Sequence, residues 1–184
     1  MRNLFTGLTF SAAAILFAAS AFALDVPPRK PGLWEMKMVF EGRNVPPHTS
    51  QHCVDAETDK LMSSFGNAST KDMCSSMDTK KVGDTYVVDS VCKMGPSTNT
   101  THSVITGDFN SAYTVKLSSV TSGGPNLPGA RPDGKTEMTM EARWTGACKP
   151  DQKPGDIIMS NGMKMNIRDM QKVQTLGPAA SPAR

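Results

Sequence analysis

The chain has 184 residues, 20 Lys+Arg against 17 Asp+Glu, and four cysteines, which is room for one ordinary domain rather than two. A formal charge of +3 with both signs interspersed leaves no electrostatic footprint for an anionic membrane, and no nucleic-acid partner is expected. With 20% charged and 38% apolar residues, a highly charged disordered chain is also excluded.

The first residues read as an address. Met1-Arg2-Asn3 precedes an uncharged run from Leu4 to Ala19, and Ala21-Phe22-Ala23 is the small-residue pattern that signal peptidase cleaves. The run is too short and too rich in Ala for a transmembrane helix of about 20 residues. Residues 1–23 are therefore expected to be a signal peptide removed during export, followed by one periplasmic domain over 24–176 and a flexible tail over 177–184. Cys53, Cys74, Cys92 and Cys148 all survive cleavage. An even count in an exported chain predicts two disulfides, and the wide spacing does not suit zinc.

From Leu33 to Glu41 the residues alternate, with Trp34, Met36, Met38 and Phe40 on one face and Glu35, Lys37 and Glu41 on the other. That is the period of a half-buried strand. Pro46-Pro47 breaks it, and a short polar strand is expected over His48–Cys53. Asp55 can cap a short helix over Ala56–Phe65, where Leu61, Met62 and Phe65 share a face.

Cys74 to Cys92 forms the next unit, with a turn at Gly83-Asp84 and alternation along Tyr86, Val88 and Cys92. Both cysteines lie nine residues from Gly83. In a hairpin with a three-residue loop centred there they would oppose each other closely enough to bridge. Of the three possible pairings this favours Cys74–Cys92, which leaves Cys53–Cys148.

Two strands follow, over Thr101–Asp108 and Ala112–Thr121, with Tyr113, Val115 and Leu117 pointing one way. Ser122–Gly134, rich in Gly and Pro, can be neither helix nor central strand. Lys135–Trp144 alternates again, setting Met138, Met140, Ala142 and Trp144 against Glu137, Thr139, Glu141 and Arg143. Beyond Cys148, Asp156–Gln171 fits a helical stripe through Met159, Met163, Ile167 and Met170. Asn161-Gly162 between two apolar runs signals a hairpin instead, and the hairpin is preferred because Gly inside a helix costs about 1 kcal/mol relative to Ala. Six or seven strands with one short helix predict a mainly β fold, a single antiparallel curved sheet or a partly closed barrel.

Arg29-Lys30-Pro31-Gly32-Leu33-Trp34-Glu35 resembles the opening of an exported bacterial family known as domain of unknown function 3617. The resemblance continues through Cys53-Val54-Asp55, the Cys74-to-Cys92 unit, Thr106-Gly107-Asp108-Phe109 and Trp144-Thr145-Gly146-Ala147-Cys148. Lys153-Pro154-Gly155-Asp156 and Gly162-Met163-Lys164-Met165-Asn166 look like an ending found in part of that family. The resemblance implies a small periplasmic β protein and carries no catalytic residues with it.

Thirteen methionines are the unusual feature, with Met-x-Met pairs at Met36/Met38, Met138/Met140 and Met163/Met165. Each pair would set two thioethers on one strand face, a soft donor set for Cu(I). The plainer reading is flexible core packing beside Trp34 and Trp144, or a sink for oxidants. His48, His52 and His102 read as solvated loop residues rather than ligands. Nucleophile-elbow, zincin and phosphate-loop motifs are absent, so neither enzymatic activity nor a cofactor or metal is expected.

The functional expectation is a binding module for a small apolar or lipid-like ligand lined by Trp34, Met36, Met38, Met138, Met140 and Trp144. The Ser122–Gly134 loop could serve as a lid, or be an ordinary surface loop. The alternative is an envelope interaction protein that uses its surface or a sheet edge. Oligomeric state is left open.

Overall fold

The alternating segments resolve, in a computed structural model that describes residues 26–124 and 131–175 (backbone alone at 64–72 and 173–175), into nine strands and two helices. In chain order these are β1 Gly32–Phe40, β2 His48–Val54, α1 Ala56–Met73, β3 Cys74–Val82, β4 Thr85–Met94 and β5 Ser97–Asp108. Then come β6 Ala112–Ser122, β7 Lys135–Gly146, β8 Asp156–Met159, β9 Lys164–Asn166 and α2 Ile167–Thr175. The expected export signal over 1–23, the tail over 177–184 and residues 125–130 of the Gly/Pro-rich loop lie outside the described residues.

All nine strands form one antiparallel sheet in the order β3-β4-β5-β6-β7-β1-β2-β8-β9. The sheet is open, with β3 and β9 at its edges, so the mainly β expectation holds and the partly closed barrel does not. The register aligns the apolar halves of separate strands into continuous rows. Tyr113, Ala142, Met36 and Ser50 are successive cross-strand partners, as are Val115, Met140, Met38 and His48. A period of two puts each row on one face, which is the inner face. Trp34 is 0% exposed there and packs with Met36, Val54, Tyr113 and Ala142, while Met62 of α1 closes over them.

Helix α1 leaves the end of β2 and runs straight into β3, so its ends sit six strands apart in the sheet. Its 18 residues reach about 27 Å at 1.5 Å per residue, close to the roughly 29 Å that six interstrand spacings require. Asp55 caps it, accepting from the Thr58 N–H and the Thr58 hydroxyl, each at 2.7 Å. The backbone N–H of Thr58 holds the Asp55 carboxyl below the ordinary carboxylate range. Both disulfides flank this helix: Cys53–Cys148 closes just before its cap, and Cys74–Cys92 begins with the residue after its last.

Several expectations are revised. The helix expected over Ala56–Phe65 continues to Met73, because its length is set by the distance between two anchored ends rather than by the weak propensity of its Ser, Gly and Asn residues. The hairpin at Asn161-Gly162 is present as β8–β9, but the chain then turns into a second helix that the strand reading had not included. The Cys74–Cys92 pairing is correct, although the loop between the strands is not three residues. Val82 pairs with Thr85 around a two-residue Gly83-Asp84 turn, and Gly83 takes φ +60°. Continued strictly, that register would set Cys74 against Lys93; an irregularity between Cys74 and Ser76 restores Cys92 as the partner.

Candidate functional site

A trough of about 760 Å³ crosses β6, β7, β1, β2 and β8. Its lining comes in runs of three, Glu35–Lys37, Thr49–Gln51, Ala112–Thr114, Glu141–Arg143 and Ile158–Ser160. The middle residue of each run belongs to one cross-strand row, Tyr113, Ala142, Met36, Ser50 and Met159. Tyr113, Ala142 and Met36 of that row point into the core, so the trough lies on the other face and takes its walls from the outward neighbours. The half of each alternation opposite the core therefore lines the site.

Two rows of side chains make that surface. One runs Ala112, Arg143, Glu35, Gln51 and Ile158; the other runs Thr114, Glu141, Lys37 and Thr49. Opposite charges stand across the β1–β7 pair in both rows, Arg143 against Glu35 and Glu141 against Lys37. The second pair meets at 3.8 Å between well-exposed groups and is worth little. In the first, Glu35 is drawn toward β2: Gln51 donates Nε2–H to Glu35 Oε1 at 3.3 Å, and Lys149 Nζ donates to Gln51 Oε1 at 3.3 Å. Among the described residues the Arg143 side chain makes no hydrogen bond or ion pair.

A separate polar cluster is buried on the inner face. Arg29 donates to Asp59 from its backbone N–H at 2.8 Å and from Nε at 2.6 Å. Its other nitrogens reach His52 Nδ1 at 3.4 Å, Met62 Sδ at 3.4 Å and Met36 Sδ at 3.9 Å. His52 Nε2 lies 3.2 Å from the Ser50 hydroxyl, the spacing of a nucleophile and its base. The guanidinium reverses that role. Arginine only donates, so Nδ1 accepts, Nε2 carries the proton, and His52 donates to Ser50 instead of taking its proton. Burial first, and the Arg29 charge second, lower the His52 pKa to about 4. The solvated-loop reading of this histidine is thus replaced by a half-buried strand residue. His48 also lies in β2, edge-on to Phe40, and His102 is exposed beside Asp89 at 2.7 Å.

The six residues read as ligand-lining all sit on the inner face. Trp34 and Met36 are buried, and Met38, Met138, Met140 and Trp144 are half-buried. Met36 and Met38 of β1 lie beside Met140 and Met138 of β7, whereas the third pair, Met163/Met165, belongs to the distant β8–β9 hairpin. The thioethers of Met36 and Met62 meet a guanidinium, and a cation in that place does not suit Cu(I). No group of three His, Cys, Asp or Glu able to hold a metal occurs among the described residues.

A family model described as "Protein of unknown function (DUF3617)" matches residues 29–148. The chain belongs to the DUF3617 family. No curated protein and no solved structure matches it. The match opens at the buried Arg29 and closes at Cys148 of the long disulfide. In the family's opening segment, Lys30 accepts the Trp34 indole N–H through its carbonyl at 2.8 Å, and Pro31 accepts that of Trp144 at 3.1 Å. Lys30 Nζ also stands 3.6 Å over the Trp144 ring. Gly32 holds φ +132°, and a Cβ there would collide with the Gly146 carbonyl and the Trp144 indole. From Arg29 through Trp34 the segment builds the fold, whereas Glu35 enters the trough. The wall formed by the end of β8 and the turn after it, Ile158–Ser160, comes from beyond the matched residues.

Sequence reasoning missed Glu35, Lys37, Gln51, Glu141 and Arg143 as site residues. Their signal was present in the outward half of the two cleanest alternations, but an outward polar residue looks the same on any solvated face.

Proposed function

We propose that this chain is an exported, non-enzymatic binding protein of the periplasm that holds a small ligand in the outer-face trough. The observation that carries this reading is the trough itself, about 760 Å³ walled by five strands, a volume within the usual range for small-molecule sites. Export is supported by the Ala21-Phe22-Ala23 pattern and by two disulfides, which persist in oxidising compartments. The tautomer that Arg29 imposes on His52 takes the Ser50–His52 pair out of consideration as a nucleophile and its base.

An apolar ligand on the Trp34 and Met36 face draws no support from their burial, since their surroundings are already filled. The trough favours a polar or amphipathic ligand. An envelope interaction role is the second reading, and one observation favours it: β3 is an open sheet edge carrying Met77 and Val82 at 48% and 64% exposure.

Native mass spectrometry of the protein purified from its own periplasm tests the first reading. A carried mass that disappears in the Ala112→Trp variant, which fills the trough from β6, is the expected result. Protein with no carried ligand and no affinity for zwitterionic or lipid-like probes would overturn it.

A further inference from the structure

We infer that the trough recognises a zwitterion, an anionic group held by Arg143 with an ammonium group about one cross-strand spacing away at Glu35. This rests on the reading of the trough as a ligand site.

The neighbours of Arg143 explain why it is the anchor. Its cross-strand partner on β6 is Ala112, which leaves open space beside the guanidinium, and its partner on β1 is Glu35. Glu35 is engaged by Gln51 through Oε1, on the side away from Arg143. Glu141, the nearest acid along β7, is turned to Lys37. Arg143 therefore has a planar donor fork with no partner among the described residues, suited to two parallel hydrogen bonds from a carboxylate or phosphate.

The surrounding charge decides what else the ligand carries. Glu35 and Glu141 flank Arg143 and Lys37, so the four charges alternate in sign around a rectangle and cancel. A ligand with only negative charge would meet two carboxylates for each cation it reached. A ligand with an ammonium converts that repulsion into attraction, because Glu35 Oε2 is not taken by Gln51. Cross-strand side chains stand roughly 5 Å apart, which matches an anion and an ammonium separated by a two-carbon link, as in a phosphoethanolamine unit. The same chemistry exists in a free small zwitterion and in a phospholipid headgroup.

The test is a titration of isotopically labelled mature protein, followed by amide chemical shifts, with glycerophosphoethanolamine, glycerol phosphate and ethanolamine as probes. Expected are shifts at Glu35, Ala112 and Arg143, with affinity for glycerophosphoethanolamine at least tenfold above either half-probe. Arg143→Gln and Glu35→Gln should each remove that tenfold advantage while the folded spectrum persists. Equal binding of glycerol phosphate would overturn zwitterion recognition. A ligand carried from the periplasm and retained by Arg143→Gln would overturn this inference and leave the trough reading standing. Flotation with phosphatidylethanolamine vesicles separates the sources: retention supports the headgroup, and binding of the soluble probe alone supports a free zwitterion.

Discussion

Arg29 and Asp59 lie thirty residues apart and meet through two buried hydrogen bonds, the shorter at 2.6 Å. The pair fastens the segment before β1 to the first turn of α1, beneath which Trp34 and Met36 are sealed. Breaking one partner leaves an uncompensated buried charge, which costs about 3–5 kcal/mol. Asp59→Ala is expected to lower the free energy of unfolding by that amount, read as a drop in the urea midpoint at unchanged slope. Replacing both partners by apolar residues, Arg29→Met with Asp59→Leu, should cost far less than the two single changes added together.

His52 should make stability depend on pH in a definite window. Its folded pKa is about 4 against 6.5 unfolded, so between those values the unfolded chain binds a proton that the folded chain refuses. Stability is then lost as pH falls from 6.5 to 4, by about 3 kcal/mol in all, and this component flattens below pH 4. Unfolding at a series of pH values in the wild type and His52→Gln checks it. Between pH 6.5 and 5 the slope should be absent from the variant, whatever its stability at pH 7; below that, carboxyls held low, such as Asp55 and Asp156, keep a slope in both proteins.

The two disulfides should differ in their contributions. Cys53–Cys148 spans 95 residues and Cys74–Cys92 spans 18, so loop-closure entropy predicts about 4–5 kcal/mol for the first and about 3 for the second. Double serine variants at each pair, compared by denaturant unfolding, should keep that order.

Gly32 is held at positive φ, where a Cβ would strike the β7 backbone. Gly32→Ala is expected to cost about 2 kcal/mol or more. It should also perturb the fluorescence of Trp34 and Trp144, which hydrogen-bond to the carbonyls immediately before it.

Much of this molecule was legible locally. The period of two in Leu33–Glu41 and Lys135–Trp144 identified two central strands and assigned Trp34, Met36, Met140 and Ala142 to the core face, because side-chain alternation is a property of the strand alone. The cysteine positions in the hairpin likewise pointed to their own pairing. What the alternation could not supply was the order of strands. Glu35, Arg143, Gln51, Ala112 and Ile158 are outward residues of five different strands, and they form one row through long-range register alone.

The same holds for the buried cluster and for the helix. Arg29, His52 and Asp59 carry no periodic signal, and their roles follow from a contact made across the fold. The extent of α1 is set by the width of the sheet between β2 and β3, not by its own residues. Local chemistry determined strand faces, the turn and the likeness to a family. Tertiary packing decided which polar face became a trough, because only the register of the finished sheet sets one strand's charges against another's.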